Sequence, residues 1–178
     1  MFSEPVAVGK SVIRKDIKDK VAGKVKFNSD AILSGILHAK MAISDYAHAH
    51  IKSIDIEQAA KVPGVQAVIT GDFSAGILTG TFLEDRPPIA IGKVRYYGEP
   101  VAVVVANSEL QAARAVQLIK IEYDPLPVVN SPSEAIKPNA QLLHENLADY
   151  RKVKECYPTE KTNIANHVKI RKGDMAQG

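Results

Sequence analysis

Three histidines, His38, His48 and His50, stand close together in the chain, and each imidazole is a candidate metal ligand. In an extended segment His48 and His50 would share one face, and Asp45 is near enough to keep a metal reading open. No Cys, Asp or Glu sits beside the two imidazoles at ligand spacing, so surface or hydrogen-bonded histidines are the favoured reading. Cys156 is the only cysteine. It can form no internal disulfide and cannot alone hold zinc or an iron–sulfur cluster. Its surroundings, Lys154-Glu155-Cys156-Tyr157-Pro158, carry no motif of a thiol nucleophile. Val8-Gly9-Lys10-Ser11 ends like a phosphate-binding loop, but that loop needs a glycine five positions before Gly9, where Glu4 stands. Glu84-Asp85 and Glu99 could exchange protons, yet carboxylates with no defined pocket are no active site.

The elements that would position these residues read as follows. Leu37, Ala39, Met41 and Ile43 alternate with polar or small residues, the period of a half-buried strand. A short extended piece follows at Ile51 to Ile54, and Asp55 with Gln58 reads as a capping box opening a helix that Val62-Pro63-Gly64 ends. Val65 to Thr70 reads as a buried strand. Gly71 to Gly92 has no sustained period and reads as a long irregular connection, with Gly71, Gly76 and Gly80 as its punctuation. Val101 to Val105 is the most apolar run and reads as a central strand buried on both faces. Ser108 and Gln111 make a second capping box, with Ala112, Ala115, Val116 and Ile119 along one helical face. Ile119 to Tyr123 is extended, and Asp124-Pro125-Leu126-Pro127 closes the compact region.

The expected class is α+β, a mixed sheet with two main helices. The organisation is an N-terminal arm at 1–22, one domain at 23–130, and a tail or linker at 131–178 with a weak strand signal at Ile164 to Ile170. Hydrophobic residues make up 46% of the chain, enough for a core. A net charge of +3, with both signs interspersed and no basic stripe, gives no case for nucleic acid. No apolar run is long enough for a bilayer and no secretory signal is visible, so a soluble, cytoplasmic protein is expected.

An ordered series of segments resembles the N-terminal part of the large subunit of the xanthine dehydrogenase and aldehyde oxidase family. It begins with the Gly9-Lys10 turn, Arg14-Lys15-Asp16, Lys20 to Lys24 and Asn28-Ser29-Asp30, which in the family lead to the first strand. It continues through Leu37-His38-Ala39-Lys40, Ala47-His48-Ala49-His50-Ile51 and Val62-Pro63-Gly64-Val65. The most specific stretch is Val94-Arg95-Tyr96-Tyr97-Gly98-Glu99-Pro100-Val101-Ala102-Val103-Val104, followed by Ile121 to Pro127 and more weakly by Leu143-His144-Glu145. Where the family usually has an Arg-Ser-Pro turn, this chain has Ile43-Ser44-Asp45-Tyr46.

The resemblance implies the α/β hammerhead fold and a non-catalytic N-terminal domain of a molybdenum hydroxylase. The parent enzyme would use molybdopterin, with [2Fe–2S] and FAD in other domains or subunits, and these together with the molybdenum-binding domains are the implied partners. No catalytic, cofactor-binding or metal residue carries over, because the family's pterin-gripping segments and catalytic glutamate lie C-terminal to this region. Xanthine, nicotinate, aldehydes and carbon monoxide all remain open as substrates. Gly98, Glu99 and Pro100 read first as a tight turn, and second as an interface or a support for neighbouring domains. The alternative is a standalone hammerhead binding or assembly protein.

Overall fold

The computed structural model describes residues 9–30, 33–174 and 176, so Val8 and Glu4 of the phosphate-loop comparison lie outside the described residues. The chain divides into two compact units, residues 1–36 and 37–178. In the first, helix α1 (Ile17–Val21) and a 3-10 turn at Asn28–Asp30 are the regular elements among the described residues. Asp16 opens that helix between Arg14 and Lys20, whose hydrogen bonds hold its carboxyl below the usual range. Among the described residues no strand forms here, and the first strand begins at His38.

The second unit holds β1 (His38–Ile43), β2 (Ala49–Asp55), α2 (Glu57–Ala60), β3 (Val65–Thr70), β4 (Lys93–Val94), β5 (Pro100–Ala106), α3 (Glu109–Val116), β6 (Lys120–Pro125) and α4 (Pro132–Ala135). The α+β class stands, but the strands divide into two three-stranded sheets, ordered β1-β5-β3 and β4-β2-β6, with every pairing antiparallel. The connections from β2 to β3 and from β5 to β6 each carry a helix that takes the chain to the other sheet, so neither joins two strands of one sheet.

β5 is central in the first sheet, as its composition demands. Val104 and Ala106 on one of its faces are fully buried against α2 and α3, where Ala59, Ala112 and Ala115 meet them. Small side chains let the helices approach the sheet closely. Ser108 caps α3: its oxygen accepts from the Gln111 N–H at 3.3 Å, and its hydroxyl donates to the Gln111 side-chain oxygen at 3.0 Å. At α2 the expected box is replaced by a shorter cap, in which Asp55 Oδ1 accepts from the Glu57 N–H at 2.9 Å. A second cluster, Ala49, Ala90, Val94 and Val101, joins the two sheets and recruits Ile51, Ile54, Ile121 and Tyr123.

The faces differ from the sequence reading in three places. Within β1 it is Ala42 that is buried, followed by Ser44, while Leu37, Met41 and Ile43 are about half exposed. β3 is an edge strand and only partly covered, and β5 is fully buried on its helix-covered face but only intermediate at Val103 and Val105. No strand forms at 164–170, where Val168 and Ile170 are exposed.

The 71–92 connection and the 131–178 segment are each tied down. Thr79 and Arg86 pair backbone to backbone, and the tip between them is pinned to the later segment through Glu84 N–H to Arg151 O and Val153 N–H to Phe82 O. Leu83, Leu147 and the buried Cys156 form a small third cluster there. Gly80 is required at the bend, since a Cβ would lie 1.8 Å from the Leu83 carbonyl oxygen. Among the described residues, no helix is long and apolar enough to cross a membrane.

Val104→Ala should test the central packing. Removing two methyl groups from a site with no solvent contact is expected to cost about 2 kcal/mol, read as a lower urea midpoint with an unchanged m-value.

Candidate functional site

The stretch from Lys93 to Pro100 holds the two buried charged side chains Lys93 and Glu99, and packs against the buried Ser44. After β4 the chain turns at Tyr96 to Glu99, where the Glu99 N–H donates to the Tyr96 carbonyl at 3.3 Å. Gly98 has φ +84°, the sign a type II turn requires at its third residue. Pro100 then opens β5, a strand-start position at which its missing N–H does no harm. The turn is locked to the opposite strand end by Ser44 N–H to Glu99 O and Gly98 N–H to Ser44 O, both 2.9 Å. Ser44 stands in the departure from the family's Arg-Ser-Pro turn. Its hydroxyl also closes the local bend by bonding with both the carbonyl and the N–H of Tyr46.

Glu99 is 3% exposed. Its carboxylate accepts the Arg95 N–H, so it points back into its own loop. Burial pushes its pKa up, and the hydrogen bond and charge of Arg95 offset this only in part.

Lys93 and Arg95 on the same stretch grip a second segment. Lys93, 4% exposed, places Nζ 2.5 Å from Glu145 Oε1 and donates to Leu142 O at 3.3 Å. The Arg95 guanidinium donates to Leu143 O at 3.0 Å and to Lys93 O at 3.2 Å. Asn163 closes the far side, accepting from Leu143 N–H and donating to Gln141 O. The buried Lys93 and the half-buried Arg95 thus clamp residues 142–145 to the edge of the second sheet. The weak word Leu143-His144-Glu145 and the strong one beginning at Val94 are two halves of one contact, a link that the sequence carried only as their order.

The histidines do not converge. His48 is 1% exposed with Nδ1 2.8 Å from the Pro127 carbonyl, and no protein group reaches its Nε2. A carbonyl only accepts, so Nδ1 carries the proton, and burial lowers the pKa of the ring. His50 is exposed opposite Asp124 on β6, and His38 pairs with Ala106 on the other sheet. Among the described residues, no three His, Cys, Asp or Glu side chains are grouped to hold a metal. Cys156 donates weakly to Ala165 O and otherwise packs as a small apolar residue. Glu84 faces Arg151, and Asp85 faces Arg86. What these side chains do together is fix loops on a sheet edge.

Residues 22–127 match the family described as aldehyde oxidase and xanthine dehydrogenase, a/b hammerhead domain. The chain belongs to this family. It is 40% identical over 137 residues to a Bacillus subtilis protein named as a probable xanthine dehydrogenase component, covering 76% of this chain and 18% of that one. It is 34% identical to the xanthine dehydrogenase molybdenum-binding subunit of Escherichia coli O157:H7, covering 74% and 19%. Among solved structures, reconstituted CO dehydrogenase from Oligotropha carboxidovorans superposes with a TM-score of 0.73 at 33% identity, covering 87% of this chain and 20% of that chain. The hammerhead chain therefore spans about a fifth of the length of these relatives. Its Val94–Val104 stretch, the most specific part of the sequence resemblance, lies inside the matched region.

Two outcomes test the clamp. Glu145→Gln removes the counter-charge of Lys93, and because Glu145 is itself more than half exposed the loss should be about 1 kcal/mol or less in a denaturant titration. The second concerns His144, whose ring stands edge-on to Tyr150 with Nδ1 3.2 Å from its hydroxyl. Burial, then the charge of Arg95, brings its pKa from an ordinary 6.5 to about 4. Between those values the unfolded chain takes the proton and the folded chain does not. The stabilising contribution is therefore complete above pH 6.5 and is lost as the pH falls towards 4. His48 shifts in the same direction, whereas Glu99, with its raised pKa, contributes at low pH and loses that contribution as the pH rises through its folded value. Thermal melts from about pH 7 to about pH 4.5 should fall less steeply for His144→Gln than for the unaltered chain, and equal slopes would exclude His144 as a source.

Proposed function

We propose that this hammerhead chain is the N-terminal structural domain of the molybdenum-bearing large subunit of a xanthine dehydrogenase-like hydroxylase. In this reading the parent enzyme hydroxylates a carbon next to nitrogen or oxygen in a heterocycle or aldehyde, taking the oxygen from water. Molybdenum supplies the redox chemistry, and iron–sulfur and flavin groups in other domains or subunits carry the electrons away. The chain itself supplies no catalytic or cofactor-binding group. It supplies a rigid module: residues 23–130 as the hammerhead, 1–22 as an arm, and 131–178 as the connection towards the molybdenum-binding domains.

The observation that carries this reading is the match of residues 22–127 to the hammerhead family in a chain that spans only 18% to 19% of relatives named for xanthine dehydrogenase. The site chemistry supports it, since the Lys93 and Arg95 cations and the Glu99 carboxylate are all spent on loop anchoring. The Gly98-Glu99-Pro100 turn then has one primary task, delivering β5. Its neighbours Tyr96 and Tyr97 remain exposed for a domain that packs beside it.

The test is capture from the source cells with an antibody to this segment, reading polypeptide mass and molybdenum together. The expected result is a molybdenum-containing polypeptide or complex much larger than 19.3 kDa. A molybdenum-free species of that mass alone would overturn the proposal in favour of a standalone hammerhead protein.

A further inference from the structure

The two sheets treat their outward faces in opposite ways. The second sheet turns out charge: His50 stands opposite Asp124, Ser53 opposite Glu122 and Asp55 opposite Lys120, all exposed, with Lys52 4.0 Å from Asp124. That is the ordinary solvated side of an antiparallel sheet.

The first sheet has one face under α2 and α3, reached by Val104 and Ala106. Its other face is built from two complete rungs. Ala39, Val105 and Ala67 form one, and Met41, Val103 and Ile69 form the next, each residue directly opposite its neighbour on β5. Residues opposite one another project to the same side, so these six side chains form one surface without a polar group, and Leu37 continues the β1 row outward. Met41 is 54% exposed, Leu37 is 52% exposed, Ala39 and Ala67 are exposed, and the central valines and Ile69 are only half-buried. Period-two alternation marks this row for burial, and among the described residues of 37–178 nothing buries it. A sheet clad by helices on one side and wholly aliphatic on the other is an inner layer with one cover missing.

We propose that these two rungs are a docking face, and that its occupant is an apolar element of the remaining part of the large subunit. The inference rests on the large-subunit reading above. Two observations choose this occupant. More than four fifths of the Bacillus relative, of which 18% is covered, has no counterpart in this chain. The face also carries no charge with which to steer or select an acidic, basic or transient partner, so it suits a permanent apolar contact. A second copy of the chain is the competing occupant.

The experiment places a diazirine amino acid at Met41 in the tagged chain as it occurs in the source cells, then sequences the cross-linked peptides. The expected product joins position 41 to a peptide of the same large subunit that lies outside residues 1–178, and a cross-link to this chain's own residues 1–36 or 131–178 alone would overturn the proposal. Ile69→Glu, on the same rung, should cut its yield at least about tenfold, because a carboxylate would be buried without a partner. Lys52→Glu, on the charged face, should leave it unchanged, and matching thermal melts would show both variants folded. Cross-links to a second copy of the chain or to an unrelated protein would overturn the proposal. A molybdenum-containing large polypeptide in which position 41 gives no cross-link would overturn this inference alone. Recovery of only the free 19.3 kDa chain would overturn the large-subunit reading as well.

Discussion

β5 has to be paired on both edges and covered before much else in residues 37–178 can settle. Its seven residues supply both neighbours of the first sheet, β1 and β3, and its Val101 end enters the cluster that joins that sheet to the second. Its first residue accepts the Ala90 N–H, which brings the end of the 71–92 connection home. An apolar strand in the middle of a sheet must satisfy its backbone on both sides, because buried amides left unpaired cost more than the apolar burial returns. Where β5 begins is therefore critical, and the Tyr96–Glu99 turn fixes it. A one-residue slip would exchange the helix-covered face of Val104 and Ala106 for the open face of Val103 and Val105.

The buried polar groups serve the same end. Glu99 is enclosed, yet it is satisfied by the amide of Arg95 and not directed at a ligand. Lys93 and Arg95 reach across to backbone carbonyls and Glu145. Such interactions contribute less to net stability than to uniqueness of arrangement, since a half-made set would leave ammonium and guanidinium groups stranded in a poor solvent for charge. Segment 131–166 has few regular elements of its own, and this is how it holds a defined path. In the proposed role within a larger subunit, that rigidity would present fixed surfaces to neighbouring domains.

Much of this was legible beforehand. β3, β5 and α3 lie where alternation, apolar runs and the Ser108–Gln111 pair place them, because those signals are local: pleat, rotamer preference and a cap act over three or four residues. The Gly98-Glu99-Pro100 turn was legible for the same reason. The clamp was not. Lys93, Arg95 and Glu145 are ordinary charged residues in sequence, and only contacts across about fifty positions make Lys93 and Glu145 an ion pair and set Arg95 on the Leu143 carbonyl.

The sequence alone determined the main strands and the α3 helix of residues 37–125, the central role of Val101 to Val105 and the family resemblance. Tertiary structure decided that the strands form two antiparallel sheets, that the 71–92 connection and residues 147–156 hold one another, and which way β1 faces. Alternation records that a row of side chains is suited to burial, but it carries no information on what covers it. Leu37, Ala39 and Met41 have the pattern of a core face, yet the helices lie on the opposite side of β5. Which face is covered depends on the path of the connections, a long-range property that no local period contains.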